Sequence, residues 1–315
     1  MPDSAIQVDA ATRRFGNLVA VDALSFEVGR GEIFGLLGPN GAGKTTAINL
    51  LTGLLRRDAG EVRVLGHDPE RDAREVRQRI GYVPQETNVY LDLSALDNLW
   101  HHAALYCRDL GGVAAAIEEL LRLMSLWERR RDPVRTFSGG MKRRLVLARA
   151  LLHDPEVVLF DEPTLGVDVQ ARHVIWEHIR GQRGAGKTFA VSTNDMAEAD
   201  ALCDRLVIID RGRAIASGTP DQLKADLGRD IVTLRTTPPI DEPETLFAGL
   251  GVQAASRPEP DLLRLEVRDA ASIVGELAAR ITAGGGSARR IESVQIARPT
   301  LDDVFLHHTG RGLRE

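Results

Sequence analysis

Residues 38 to 45 read Gly-Pro-Asn-Gly-Ala-Gly-Lys-Thr, between the apolar run Ile33–Leu37 and the helically spaced stretch Thr46–Leu51. A glycine-rich turn from strand to helix can curl its main-chain N–H groups around an anion. Gly38, Gly41 and Gly43 keep side chains out of that curl, and the helix N-terminus adds positive partial charge. Lys44 would reach the outer phosphates, and the Thr45 hydroxyl would hold a magnesium ion. The chemistry implied is the binding of a nucleoside triphosphate.

The same letter pattern returns at residues 181 to 188, Gly-Gln-Arg-Gly-Ala-Gly-Lys-Thr. Here it follows the polar, helical stretch Ala171–Arg180 and enters the strand-like Phe189–Ser192. A helix–loop–strand order points the loop away from the carboxyl edge of a sheet, where ligands bind. The second copy therefore reads as a turn, with Lys187 a solvated lysine.

Two further places carry chemistry. Val157–Phe160 is an apolar strand that ends in Asp161-Glu162. A carboxylate at a strand's carboxyl end can hold magnesium, which Asp161 fits, and Glu162 can polarise an attacking water. An acidic pair after a strand is otherwise often a mere turn. Ser138-Gly139-Gly140 opens a helix. Ser138 alone makes an N-cap, but two glycines at the first helical positions weaken the helix and call for another use, such as a second anion site.

The elements that must position these residues are arranged in blocks. Strand-like and helix-like segments alternate over residues 5–85 and again over 157–215, with helices expected at 93–106, 114–126 and 138–152 between them. This is an α/β sheet domain with an all-helical insertion. Residues 231–296 differ: strands at 231–234, 252–255, 262–267 and 291–296, and helices at 244–250 and 271–283, give the split β-α-β-β-α-β pattern of ferredoxin-like domains. The expected boundaries are 1–225 for the α/β domain, with its helical subdomain at about 86–153, and 226–315 for a small α+β domain. Pro238-Pro239 and Asp241-Glu242 suit a loop.

Composition sets limits. The 315 residues are 43% hydrophobic and 27% charged, ordinary for a folded two-domain chain. A net charge of −5 gives no support for nucleic-acid binding, and Lys142-Arg143-Arg144 reads as a solvated helix face. Cys107 and Cys203 lack metal-ligand spacing and read as buried or free thiols. No uncharged apolar run approaches the ~18 residues of a membrane span, and the N-terminus has no export-signal pattern. The expectation is a cytoplasmic protein whose membrane role needs a partner.

In this order the motifs resemble those of ATP-binding cassette (ABC) ATPases. They are G-P-N-G-A-G-K-T-T at 38, Gln85 in G-Y-V-P-Q, F-S-G-G-M at 137, V-V-L-F-D-E-P-T at 157 and G-V-D at 166. The resemblance covers residues 5 to about 220. It implies ATP and Mg2+ as ligands. It assigns Gly38, Pro39, Asn40, Gly41, Ala42, Gly43, Lys44, Thr45 and Thr46 to the phosphates, and Phe15 to stacking on adenine, although a lone Phe suits a core equally. Thr45, Gln85 and Asp161 would serve the metal, and Glu162, Gln85 and Asn194 the hydrolysis. Two cassettes would sandwich two ATP molecules, each between one chain's phosphate loop and the other chain's Ser138, Gly139 and Gly140, with Asp168 touching the opposite cassette.

Three positions depart from the family. Phe137 stands where Leu is usual and Met141 where Gln is common. Asn194, in Ser192-Thr193-Asn194-Asp195, stands where the family has a histidine on the γ-phosphate. Asparagine donates a hydrogen bond but is shorter and uncharged. His173, His178, His101-His102 and His307-His308 do not replace it in motif order and read as surface or packing residues.

The tail, from Pro299-Thr300-Leu301-Asp302-Asp303-Val304-Phe305-Leu306 to Thr309-Gly310-Arg311, resembles the end of daunorubicin-resistance-type exporter ATPases. It reads as a capped helix with Thr300 and Asp303 as capping box. The implied function is the ATPase subunit of an exporter at the cytoplasmic face of the cell membrane, paired with an integral membrane permease and, as a homodimer, with a second ATPase subunit. The alternatives are a soluble ABC ATPase, which the short interval between Gln85 and Ser138 disfavours, and a weakly hydrolysing nucleotide-gated regulator, which Asn194 suggests and Glu162 opposes.

Overall fold

The structure, a computed structural model, describes residues 4–107, 109–164, 167, 169–227, 230–237, 247, 249–283, 290–297 and 299–309. The chain divides into two compact units near Pro220.

The first unit opens with β1 (Ser4–Phe15) and β2 (Leu18–Gly29). The alternation of strand and helix expected over residues 5–85 does not begin here. Leu24, Phe26 and Val28 point inward while Ser25 and Glu27 point out, the period of a half-buried strand, and Gly16 at φ 59° closes a two-residue turn between Phe15 and Leu18. β1 pairs on its other side with β4 (Ala59–Val64), making an antiparallel sheet of order β2-β1-β4.

The second sheet holds the site. Its strands are β3 (Ile33–Leu37), β5 (Ile80–Val83), β6 (Val157–Asp161), β7 (Thr188–Thr193), β8 (Arg205–Asp210) and β9 (Arg213–Gly218). Their order is β5-β6-β7-β3-β8-β9, parallel except for the edge strand β9. Strands covered on both faces must be apolar throughout, and every residue of β3, β6 and β7 is buried. Phe160 stacks on Phe189 at 5.8 Å, and Phe34 on Phe26 at 5.4 Å. Burying each such ring stabilises the fold by about 2 kcal/mol. Around the sheet lie α1 (Lys44–Leu51), α2 (Ala73–Arg79), α6 (Val169–Gly184) and α7 (Met196–Leu202).

The expected helical insertion is present as α3 (Ala95–Tyr106), α4 (Val113–Leu123) and α5 (Gly139–Leu151), packed on one another. Ser94 caps α3 by accepting from the Asp97 N–H at 3.0 Å. Burial holds the His102 imidazole down to about 3, with His153, Arg149 and His101 adding to the effect, so His102 packs as a neutral ring stacked on Tyr106.

The second unit holds α8 (Pro220–Asp226), β10 (Asp230–Thr237), β11 (Val252–Glu259), β12 (Leu262–Val267), α9 (Ala270–Ala283), β13 (Arg290–Ala297) and α10 (Leu301–Thr309). The sheet is antiparallel with order β11-β12-β10-β13, that of the split pattern. Most of the helix expected at 244–250 lies outside the described residues, as do Pro238-Pro239, Asp241-Glu242 and Gly310-Arg311. Val232, Leu234, Leu263, Leu265, Leu277 and Ile281 form this unit's core. The capping box of α10 is made: Thr300 Oγ1 accepts from the Asp303 N–H at 3.3 Å, and Asp303 accepts from the Thr300 N–H at 2.8 Å. Among the described residues no helix is long and apolar enough to cross a membrane.

Candidate functional site

Parallel pairing sets the geometry. Leu37 at the end of β3 pairs with Thr193 at the end of β7, and Asp161 at the end of β6 pairs with Ser192. The loops leaving β3, β6 and β7 therefore start side by side.

The loop after β3 runs from Gly38 to Gly43 and enters α1. Gly43 sits at φ 104°, and a Cβ there would meet the Ala20 carbonyl oxygen at 2.3 Å. Glycine is thus required both by conformation and by space. α1 has no side-chain cap at its N-terminus and no acidic residue in its first turn, so its first N–H groups and dipole remain available to an anion. Lys44 is 4% exposed, and its ammonium donates to the carbonyls of Gly38 at 2.9 Å and Pro39 at 3.0 Å. It also lies 3.6 Å from Glu162 Oε1. Burial pushes this ammonium down from its ordinary value, and Glu162 and Asp161 oppose that. Thr46 follows on α1, half-buried.

Asp161 accepts from the Thr45 hydroxyl at 3.2 Å and the Ser192 hydroxyl at 2.5 Å. Its other oxygen, Oδ2, is buried without a hydrogen-bond partner among the described residues. An unpartnered carboxylate oxygen beside a threonine hydroxyl is a hard-oxygen donor set, which fits magnesium. Gln85, after β5, donates to Glu162 Oε2 at 3.0 Å. Asn194, after β7, donates to Asn40 Oδ1 of the phosphate loop at 3.1 Å. Side chains thus join Lys44 and Gln85 to Glu162, and Thr45 and Ser192 to Asp161, two groups on adjacent residues of one turn, and Asn194 reaches the same phosphate loop.

The other expected site residues lie apart from this cluster. Ser138 caps α5, accepting from the Met141 N–H at 3.2 Å, and among the described residues no hydrogen bond ties Ser138, Gly139 or Gly140 to the phosphate loop. A Cβ on Gly139 or Gly140 would meet nothing within 4 Å. The chain's own packing gives no steric reason for either glycine. Phe137 is buried and carries the Arg129 guanidinium over its ring at 5.2 Å. Phe15 is 43% exposed beneath the Arg13 guanidinium, so it is no core residue. Asp168 lies outside the described residues.

Two readings need correction. Arg143 is not part of a solvated face: it is 3% exposed and donates to main-chain carbonyls on two loops of the site. The signal was present in the phase of α5. Arg143 lies three and four residues before the buried Val146 and Leu147, hence on their face. Arg144 donates to the Met124 carbonyl at 2.7 Å. Lys187 is likewise not free in solvent, since its side chain is 16% exposed and pairs with Asp154. The second copy of the pattern does have the expected order: α6 ends at Gly184 and β7 begins at Thr188. Ser192 was not singled out, yet it binds Asp161 and also accepts from the Glu162 N–H at 3.0 Å through its carbonyl.

The fold and this cluster define a P-loop nucleotide-binding protein. Residues 21–165 match the family model of the ABC transporter, and residues 218–309 match that of the ATP-binding protein DrrA1-3-like, C-terminal domain. The chain is 41% identical to the daunorubicin resistance ATP-binding protein DrrA3 of Streptomyces coeruleorubidus, over 98% of this chain and 97% of that one. It is 39% identical to the Nod factor export ATP-binding protein I of Paraburkholderia xenovorans (strain LB400), over the full length of both. It is 36% identical to the linearmycin resistance ATP-binding protein LnrL of Bacillus subtilis (strain 168), over 98% of this chain and all of that one. A solved ATP-binding subunit of an ABC transporter superposes with TM-score 0.67 at 29% identity, over 71% of this chain and 93% of the other. The chain belongs to the family of ABC transporter ATP-binding subunits, in its daunorubicin-resistance-type branch.

The two lysines of the repeated pattern separate motif from context. Lys44→Ala removes the buried ammonium beside Glu162, and ATP binding or turnover should be lost. Lys187→Ala removes an edge ion pair worth at most about 1 kcal/mol, and turnover should stay near wild type. Nucleotide binding and phosphate release measured on both variants decide this; a damaged Lys187→Ala enzyme with an active Lys44→Ala enzyme would refute the assignment.

Proposed function

We propose that the protein is the ATP-hydrolysing subunit of an exporter. In this reading it works as a homodimer with Mg2+ at the cytoplasmic face of the membrane, beneath a separate permease. The observation that carries hydrolysis is the joined cluster of Lys44, Gln85 and Glu162 at the carboxyl edge of the sheet. Lys44 exchanges its carbonyl acceptors for oxygens of the outer phosphates, to which its ammonium then donates. Thr45, Gln85 and, through water, Asp161 would hold a magnesium ion, which would neutralise phosphate charge. Glu162, oriented by Gln85, accepts hydrogen bonding from the attacking water and aims it. Export as the direction of transport rests on the names of the relatives, which concern daunorubicin resistance, linearmycin resistance and export of Nod factor.

A second chain is supported by Gly139 and Gly140. They are open, their own fold does not require them, and they follow an exposed Ser138. Main-chain donors so bared suit an approaching phosphate on the partner's loop, and Asp168 would contact that partner.

In this reading the permease docks on the segment after Gln85. Asn98 pins this segment, accepting from the Tyr90 N–H at 2.9 Å and donating to the Tyr90 carbonyl at 3.0 Å. The Tyr90 ring is left 49% exposed against His101, with Leu91 and Trp100 also exposed, while Leu99 belongs to the core. A groove of about 450 Å³ opens beside them, lined by Tyr82, Tyr90, Tyr106, Arg149 and His153 among others. Its described lining includes no carboxylate, which favours a permease element bearing an acidic group beside an apolar anchor.

Replacing Glu162 by Gln keeps its shape and removes the charge. Hydrolysis should fall by a factor of a hundred or so, ATP binding should persist, and an ATP-bound dimer should accumulate on size analysis. Wild-type turnover by Glu162→Gln refutes the hydrolytic role.

Asn194 should make this cassette slow. Loss of one transition-state donor costs about 3 kcal/mol, roughly a hundredfold, and the asparagine amide recovers part of that. Asn194→His should raise turnover at saturating ATP; an unchanged or lower rate means that the site is adapted to the Asn194–Asn40 bond.

Tyr90→Glu should uncouple transport in membranes and leave the ATPase rate of the isolated subunit unchanged. Undiminished co-purification of permease with that variant would exclude this surface as the docking site.

A further inference from the structure

Glu162 has φ 50°, in the left-handed region, and it precedes a proline. A non-glycine residue there costs about 1–2 kcal/mol, and the following proline narrows its choices further. Such a turn persists where its surroundings over-determine it. Ser192 holds one side of the turn, accepting from the Glu162 N–H through its carbonyl at 3.0 Å and its hydroxyl at 3.2 Å.

Arg143 holds the other side. A guanidinium carries five N–H donors in a planar fork. Nε of Arg143 donates to the Pro163 carbonyl at 2.9 Å, and Nη2 donates to the carbonyls of Asp161 at 2.9 Å and Glu162 at 2.8 Å. Nη1 donates to the Gln85 carbonyl at 3.2 Å and to that of Pro84. Every donor has a main-chain acceptor, and the acceptors belong to two separate loops. Three are consecutive carbonyls of the Glu162 turn; two belong to the loop of Gln85, whose side chain in turn binds Glu162. The residue that joins them stands on α5, which Ser138 caps and which begins with Gly139 and Gly140. The hydrogen-bond acceptors of this buried cation are all backbone carbonyls, while the carboxylates of Asp161, Glu162 and Glu198 favour its charge through space and offset the cost of burial.

We propose that Arg143 is a positioning residue for hydrolysis: its fork locks the left-handed turn of Glu162 to the loop of Gln85 and to the helix of Ser138, so that the Glu162 carboxylate keeps its aim. The proposal deepens the hydrolytic reading of Glu162 and rests on it. Arginine is required for its shape as much as its charge. A lysine has three donors on one atom and cannot span two loops.

The test compares Arg143→Lys and Arg143→Gln with wild type in the full chain. Misaiming of the catalytic group should lower kcat on the order of a hundredfold in Arg143→Lys, although the charge is kept. The dissociation constant of a fluorescent ATP analogue should move by less than about threefold, a split that a general loss of structure would not give. Added to Glu162→Gln, the Arg143→Lys change should lower the residual rate no further, because both act through one carboxylate. Arg143→Lys with kcat near wild type, or effects that multiply in the double variant, overturns the proposal. Loss of nucleotide binding or of cooperative unfolding in both Arg143 variants also overturns it, leaving Arg143 a residue of the fold. Glu162→Gln alone separates the two levels. If it hydrolyses at the wild-type rate, the reading of Glu162 falls; if it is slow while Arg143→Lys is fast, the Arg143 role alone falls.

Discussion

The site depends on the level at which three buried strands end. β3, β6 and β7 are neighbours in a parallel sheet, and their pairing sets Leu37 against Thr193 and Asp161 against Ser192. A slip of one residue in either pairing would move each side chain of the slipped strand to the opposite face of the sheet relative to its neighbours. It would also separate Thr45 from Asp161 and Lys44 from Glu162. The phenylalanines Phe34, Phe160 and Phe189 hold that register, because each fills one side of a sheet covered on both faces. The apolar core and the polar cluster are therefore parts of one arrangement.

At the sheet's edge the chain buries two cations and treats them differently. The Lys44 ammonium sits near a carboxylate and two loop carbonyls, partners that it can exchange for phosphate oxygens. Its burial makes the bare charge costly, which favours an anion in the loop. The Arg143 guanidinium is surrounded by carbonyls of its own chain and has the geometry of a fixed brace. A compact charge suits exchange, and a planar fork suits bracing. The same contrast accounts for Glu162, which is braced in its strained backbone and held at its carboxylate by the exchangeable partners Lys44 and Gln85.

Nearby, the buried Glu198 collects hydrogen bonds from Thr164 at 2.8 Å, Trp176 at 3.0 Å and Thr193 at 2.6 Å. These donors come from the segment after β6, from α6 and from the end of β7, so one carboxylate ties together the elements that flank Asn194. Asn194 is thereby presented to Asn40 from a firm base, and its short side chain meets the phosphate loop without the reach of an imidazole.

Much of this was legible from local signals. The strand–loop–helix context marked Lys44 over Lys187, and the apolar runs marked β3 and β6. The spacing of Ser138, Thr300 and Asp303 marked helix starts, which the structure shows as capped. These are features of a few consecutive residues, where periodicity and capping are decided. The opening hairpin was misread because alternation of apolar and polar residues does not reveal which strand a segment pairs with. Arg143 and Lys187 were misread because charge alone suggests solvent, while burial depends on what tertiary contacts bring opposite. Five carbonyls from residues 84–85 and 161–163 converge on Arg143 only when two distant loops meet over α5. The sequence by itself determined the family, the phosphate loop and the acidic pair, because those are contiguous. The tertiary structure alone decided which cations are buried and what braces Glu162, because those depend on residues far apart in the chain.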